Sequence, residues 1–377
     1  MLRLVIVLLL LLTACGSARE QAAPAGAALR WERLPDPPLS PRALGELHWT
    51  GRLLLALGGD TVPPCPPTAS CTEPSRPQRD GAAYDPATGR WRETAEAPRP
   101  PVGRRVVDGE VVWLQSGWEA DKPLLSYDAG TDVWTEHPAP PGPASASYVL
   151  AVSRGRPVAL RIEQRTQRIA DAVYDPQVRT WTALPADPLA PSFDRAAAQT
   201  PQGLLVTGAE AVPNPGSAQP SYLRASLLNV QSGTWTRLPD SEQLVGAGMA
   251  VHGDRAVWPD LGGADGGEVN NYGRVVPYGG VLDVAARAWL PLPGAPAEGS
   301  GGWSAYALGG AVSAVEGYLY DDRRGSWTRL PRPNDGPASP DAAGWAGPDL
   351  VVVGGTTAPG DRYERVQGAW IFKNAGR

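Results

Sequence analysis

Cysteine, histidine, lysine and phenylalanine are scarce in this 377-residue chain: three Cys, three His and two Phe, with Lys122 and Lys373 the only lysines. Each shortage excludes something. His48, His137 and His252 are scattered through unlike contexts, a first strand, the segment after a Trp-led strand and the end of an apolar run. Such a set does not make a transition-metal site, and without a nearby histidine Cys65 and Cys71 do not make a zinc site. The cations are nearly all arginine, a genome bias, and both signs are interspersed without a basic run, which argues against nucleic acid as partner. There is no long amphipathic helix, no Gly-rich loop that follows a strand and opens a helix, and no Ser-His-Asp set. Dinucleotide and acyl-transfer chemistry are therefore unsupported, and no cofactor is expected.

The single long apolar run, Leu4 to Leu12, follows Met1-Leu2-Arg3. It is too short to span a bilayer as a permanent helix and reads as a secretory signal. Leu12-Thr13-Ala14-Cys15 resembles the bacterial lipobox, which implies cleavage before Cys15 and lipid on its sulfur. Residues 15–28, rich in Gly, Ala, Ser and Pro, are then a flexible tether. Loss of residues 1–14 removes one arginine and no acid, so the net charge moves from −5 to −6. The expected location is outside the cytoplasmic membrane, anchored by lipid in its outer leaflet or in an outer membrane. The resemblance to lipoproteins further implies the outer membrane where the envelope has two, because Gly16 rather than aspartate follows the cysteine. In that oxidising setting Cys65 and Cys71, separated by five residues in a Pro-rich loop, are expected to form a disulfide.

Glycine (44) and proline (41) are abundant, and they punctuate a repeat. Tyr84-Asp85-Pro86-Ala87-Thr88-Gly89-Arg90-Trp91 recurs with the same seven-residue step at Tyr127–Trp134, Tyr174–Trp181 and Tyr320–Trp327. Leu228–Trp235 and Leu282–Trp289 keep the step without the tyrosine, and Trp31 is a seventh copy with no preceding strand. Each copy reads as strand, turn, strand. The aspartate accepts from amides two residues on, and Gly89, Gly233 or Gly325 takes positive φ late in the turn. After the tryptophan comes a short strand ended by proline, as in Trp181-Thr182-Ala183-Leu184-Pro185. Two further strands then form, best seen from Glu46 to the Gly58-Gly59 pair, and Gly354-Gly355 repeats that pair. Four short strands per unit, at a mean step of about 49 residues, make one propeller blade.

An apolar strand ending in Gly-Gly, then a tyrosine, then a tryptophan resembles the kelch family over roughly residues 30 to 377, with degenerate copies at Ser116-Gly117 and Thr207-Gly208. The resemblance implies an all-β, seven-bladed kelch-like β-propeller over residues 29–377. Gly368 to Arg377 looks like Gly81 to Arg90 without the final strand, so the N-terminal strand at Trp31 is expected to complete the C-terminal blade and close the ring. Tyr363 and Trp370 are also seven apart, which leaves open a register with an extra outer strand.

Loops joining second to third strands open on the same face as the connections between blades, where ligands of a propeller sit. Three are long: Asp60 to Asp80, Glu210 to Pro220 and Pro259 to Gly279. The first carries the cysteine pair with Glu73, Arg76 and Arg79. The third carries Asp260, Asp265, Glu268, Asn271 and Tyr272, and the between-blade segments add Arg42, Arg104 and Arg195. These are the candidate ligand-binding residues of a module for an envelope glycan or protein. The alternative is a carbohydrate-active enzyme. Galactose oxidase relatives need a cysteine cross-linked to tyrosine and histidine ligands, whereas Cys65 and Cys71 read as paired and the histidines as scattered. Sialidases need Ser-x-Asp-x-Gly-x-Thr-Trp boxes, whereas the turns here begin Tyr-Asp. Resemblance to sialic acid mutarotases stops at the fold, though an Arg-Glu pair could transfer a proton to a ring oxygen. A calcium-stabilised loop at 262–268 has two acids, short of the six or more oxygens calcium takes.

Overall fold

The computed structural model describes residues 30–376 except 67–68, 117–121, 144–145, 163–169, 190, 214–218, 295–302, 304 and 358–362. The expected signal at 1–14, Cys15 and the expected tether at 15–28 lie outside the described residues. All the regular structure is β, arranged as seven blades in a ring. Blade one orders His48–Trp49, Leu54–Leu57, Gly81–Asp85 and Arg90–Glu93 from the channel outward. Blades two to five repeat that antiparallel order, and in blade six the innermost strand shrinks to a bridge between Ala307 and Ala314.

Blade seven consists of Ala342–Ala346, Asp349–Thr357 and Glu364–Phe372, with Trp31–Leu34 as its outermost strand. The N-terminal strand therefore closes the ring, in a register that sets Trp31 opposite Phe372 and Arg33 opposite Trp370. This decides the register: Trp370 lies in the third strand, and the outer strand beside it is Trp31–Leu34. Phe372 faces Trp31 as Tyr84 faces Trp91, one residue later than an end-to-end alignment with Gly81–Arg90 places it. The expected strand from Glu46 to Trp49 is also divided. Gly45–Glu46 pairs in parallel with Ala342–Ala343 of blade seven, and only His48–Trp49 belongs to blade one.

The continuous apolar runs of the second strands have no solvent face because alternate side chains serve different neighbours. Leu54 and Ala56 pack against Val351, Val353 and Ile371 of blade seven, while Leu53, Leu55 and Leu57 meet Val112 and Tyr127 of blade two. Leu350 and Val352 turn the other way, to blade six. The core is thus a set of inter-blade layers rather than one centre.

The repeated phrase stitches these layers together at the rim. Tyr84, Tyr127, Tyr174 and Tyr320 hold their tryptophans at centroid distances of 4.8–5.1 Å. Each aspartate accepts as expected, for instance Asp85 from Ala87 N at 2.9 Å and Asp175 from Gln177 N at 3.0 Å. In five blades the indole N–H then donates to the preceding blade, at the carbonyl four residues past that blade's own tryptophan. Trp134 reaches Ala95, Trp181 reaches Pro138, Trp235 reaches Pro185, Trp289 reaches Pro239 and Trp327 reaches Pro293, at 2.7–3.2 Å.

The double glycine has a steric reason. A Cβ on Gly59 would stand 2.6 Å from the Ala43 carbonyl oxygen, and one on Gly355 would stand 2.4 Å from that of Ser339, because the connection between blades crosses there. Glycine alone permits that approach.

Candidate functional site

The face that carries the between-blade connections is built up on two sides. On one side a hairpin extends the long strands of blade seven, and Arg365 from it donates to the Val62 carbonyl at 3.3 Å and to Asp341 at 2.6 Å. This ties blade seven to the first long loop of blade one. On the other side the third long loop contains a small hairpin, Ala264–Gly266 paired with Val275–Pro277. Its Arg274 reaches Tyr222 Oη at 2.8 Å and Glu242 at 3.1 Å.

Asp60 organises the first loop. Its carboxylate accepts from Val62 N at 2.7 Å, from Arg76 N at 3.0 Å and from the Ser75 hydroxyl. Burial pushes its pKa up, but the Ser75 hydroxyl and the two amides outweigh that and hold it below the ordinary carboxylate value. Beyond the clamp Cys65 and Cys71 form the expected disulfide, with Cα atoms 5.8 Å apart. Glu73 pairs with Arg76 at 3.3 Å on the exposed part of the loop. Arg79 points toward the blade's outer strand, donating to the Ala97 carbonyl at 2.6 Å.

Two of the candidate arginines are enclosed. Arg42 is 4% exposed and grips Asp80 with both guanidinium ends, while Ser40 and the Gly58 carbonyl take its other donors. Arg195 is 3% exposed between Asp171, at 2.8 Å and 3.0 Å, and Asp187. Burial raises the pKa of Asp187, and Arg195 only partly offsets it. Arg42 joins a between-blade connection to a neighbouring loop, Arg195 joins the strand Ser192–Thr200 to Asp171 and Asp187, and the terminal guanidinium nitrogens of both bond within the fold.

Arg104 differs. It is exposed and lines a cleft of about 590 Å³ with Glu46, Asp60, Ser75 and Arg105. Two between-blade connections, residues 43–46 and 102–105, form its sides. Arg105 lies beneath, donating to the Leu57 carbonyl at 3.0 Å and facing His48 Nε2 at 3.1 Å. Burial lowers its pKa to about 10, against the opposing pull of Glu46. Burial and Arg105 together keep His48 neutral far below its ordinary range. Glu46 and Arg104, whose side chains make no hydrogen bond or ion pair among the described residues, thus offer charges of both signs on the cleft. Glu46 and Asp60 were not singled out from sequence: Glu46 reads as strand, and the clamp made by Asp60 depends on how the loop folds back.

A second cleft, of about 310 Å³, lies between blades four and five. Phe193, Asp194, Ala209, Ser221, Leu244, Val245, Asp265, Tyr272 and Tyr278 line it, so the structure brings Asp265 and Tyr272 together. Asp260 stands apart, accepting from Ala247 N at 2.9 Å. Glu268 and Asn271 sit exposed in the turn of the hairpin, Asn271 with φ +55°. Among the described residues no three His, Cys, Asp or Glu side chains converge in a way that could hold a metal ion. The histidines are in separate blades: His137 bonds Ser126 Oγ and Tyr174 Oη, and His252 bonds Asp322.

No protein-family model matches this chain, and no curated protein matches it.

Proposed function

We propose that this protein is a kelch-type binding module held outside the cytoplasmic membrane by lipid on Cys15, and that it binds a glycan of the cell envelope on the face described above. The observation that carries the reading is the cleft lined by Glu46, Asp60, Ser75 and Arg104. Its volume suits a small saccharide, and its carboxylates and guanidinium are complementary to sugar hydroxyls, which both donate and accept. A seven-bladed propeller with built-up loops suits such a module, since the rigid ring holds the loops in place.

A panel of mono- and disaccharides titrated against thermal unfolding tests it. A sugar at about 100 times its dissociation constant stabilises by roughly 2.7 kcal/mol. The expected result is a hit that Arg104→Ala and Glu46→Gln both abolish. A flat panel would overturn the glycan reading in favour of a protein partner, sought by envelope pull-down. For the anchor, Cys15→Ser is expected to release the protein from the membrane fraction.

Glu46 and Arg104 on one cleft also favour a second reading, a mutarotase-like enzyme in which the carboxylate relays a proton at the ring oxygen while the guanidinium holds the sugar. Acceleration of anomer exchange, seen by NMR and lost in Glu46→Gln, would establish it over simple binding.

A further inference from the structure

The cleft between blades four and five has a different chemistry from the one at the channel mouth. Three aromatic rings, Phe193, Tyr272 and Tyr278, line it together with two carboxylates, Asp194 and Asp265, and no arginine or lysine does. The nearby cation, Arg274, is paired with Glu242 at 3.1 Å.

Asp194 is there because the strand is interrupted. Ser192–Thr200 pairs regularly with Gly203–Glu210 except for a bulge between Phe193 and Ala196. The bulge sends Arg195 inward to Asp171 and Asp187 and leaves Asp194 outside, exposed, with φ +47° and no hydrogen bond or ion pair among the described residues. Bulges recur where a side chain must be redirected, and a left-handed aspartate is an uncommon conformation. Across the cleft Asp265 uses one oxygen on Gly266 N at 2.9 Å. Ser221 Oγ, also on the lining, is buried and has no partner.

Aromatic faces carry partial negative charge, and together with two carboxylates and no counter-cation among the described lining residues they create a region of negative potential over apolar surface. A neutral sugar gains nothing from the second carboxylate, and an anion is repelled. We propose that this cleft is a second ligand site, selective for an organic ammonium group: the quaternary ammonium of a choline-type headgroup or the primary ammonium of an amino sugar. The rings of Tyr272 and Tyr278 pack against the cation, and Asp194 and Asp265 neutralise it. Ser221 Oγ accepts from a primary ammonium but has no role with a quaternary one.

Calorimetric titration of the full chain with choline, with its uncharged isostere 3,3-dimethyl-1-butanol, and with glucosamine beside glucose tests the assignment. Binding of choline or glucosamine at least tenfold tighter than its neutral counterpart is expected. Preference for choline identifies a quaternary headgroup, and preference for glucosamine an amino sugar. Asp194→Asn with Asp265→Asn should remove that tenfold advantage while leaving thermal unfolding unchanged. Equal binding of the charged and uncharged members of each pair, or no binding of either cation, would overturn the proposal. Because that comparison is made on the unaltered protein, it does not depend on the variants folding. An advantage that persists in the double variant would also overturn it.

Discussion

The indole N–H of Trp31 donates to the carbonyl oxygen of Pro331, joining residues 300 positions apart. It is the same bond that Trp134, Trp181, Trp235, Trp289 and Trp327 make to the blade before them, here made by a strand from the other end of the chain. Trp31 also meets Trp303 edge-on at 5.2 Å and Phe372 at 5.0 Å.

Loss of Trp31 should therefore unfasten the ring. Trp31→Ala is expected to destabilise by about 3 kcal/mol, as other large-to-small aromatic truncations do. Trp31→Phe keeps the ring and costs about 1 kcal/mol for the lost bond. Urea melts of both variants check this. A cost for Trp31→Ala no larger than that of an exposed strand residue would mean that blade seven is complete without its N-terminal strand.

Trp91 is the exception in the circuit. By the rule the other six follow, it should donate to Pro35, but that bond is not made, and its Nε1 is buried without a partner. A buried donor left unpaired costs free energy that a hydrocarbon of similar shape avoids. Trp91→Phe is thus expected to be neutral or slightly stabilising, while Trp134→Phe, which gives up the bond to Ala95, loses about 1 kcal/mol. Equal losses in the two variants would show that Trp91 does have an acceptor in solution.

The blade count and the closure were legible because they rest on local chemistry. Tyr-Asp turns, Trp-led strands and Gly-Gly pairs each act within about ten residues, and Trp31 without a preceding strand pointed to its place in the last blade. The candidate site was less legible because its partners are remote. Arg42, Arg104 and Arg195 all read from sequence as between-blade residues, although Arg195 lies in the strand Ser192–Thr200, and the sequence alone does not distinguish them. What separates them is that Asp80, Asp171 and Asp187 close around Arg42 and Arg195, whereas among the described residues no carboxylate pairs with Arg104. The bulge that exposes Asp194 has no sequence signal either, since Ser192-Phe193-Asp194-Arg195 contains no glycine.

That difference between the arginines can be measured. Removing one partner of a buried ion pair strands the other charge and costs about 3–5 kcal/mol. Arg195→Ala, which leaves both Asp171 and Asp187 buried, should lose that much stability whatever ligand is present. Arg104→Ala should leave the melting midpoint unchanged and alter only binding. A mild Arg195→Ala phenotype would show that water enters the Asp171–Asp187 pair.

His137 gives the fold an acid limit. It is 8% exposed, lies between the rings of Trp113 and Tyr174, and bonds Ser126 Oγ at 2.8 Å and Tyr174 Oη at 3.1 Å. Burial first, and the positive charge of Arg179 second, lower its pKa to about 4. The unfolded chain takes up this proton near pH 6.5, but the folded chain does not until about pH 4, so protonation favours unfolding throughout that window. The contribution is therefore constant above pH 6.5 and falls by about 1.4 kcal/mol per pH unit below it, toward a total of about 3 kcal/mol. His48, also depressed by burial and by Arg105, acts with the same sign. Denaturant melts at pH 7.5 and pH 5 should show the unmodified protein losing about 2 kcal/mol through His137, with His48 adding a loss of the same sign. His137→Gln, which can keep both bonding partners but does not titrate, should lose correspondingly less. A loss in His137→Gln as large as in the unmodified protein would mean that His137 is solvated and ionises normally.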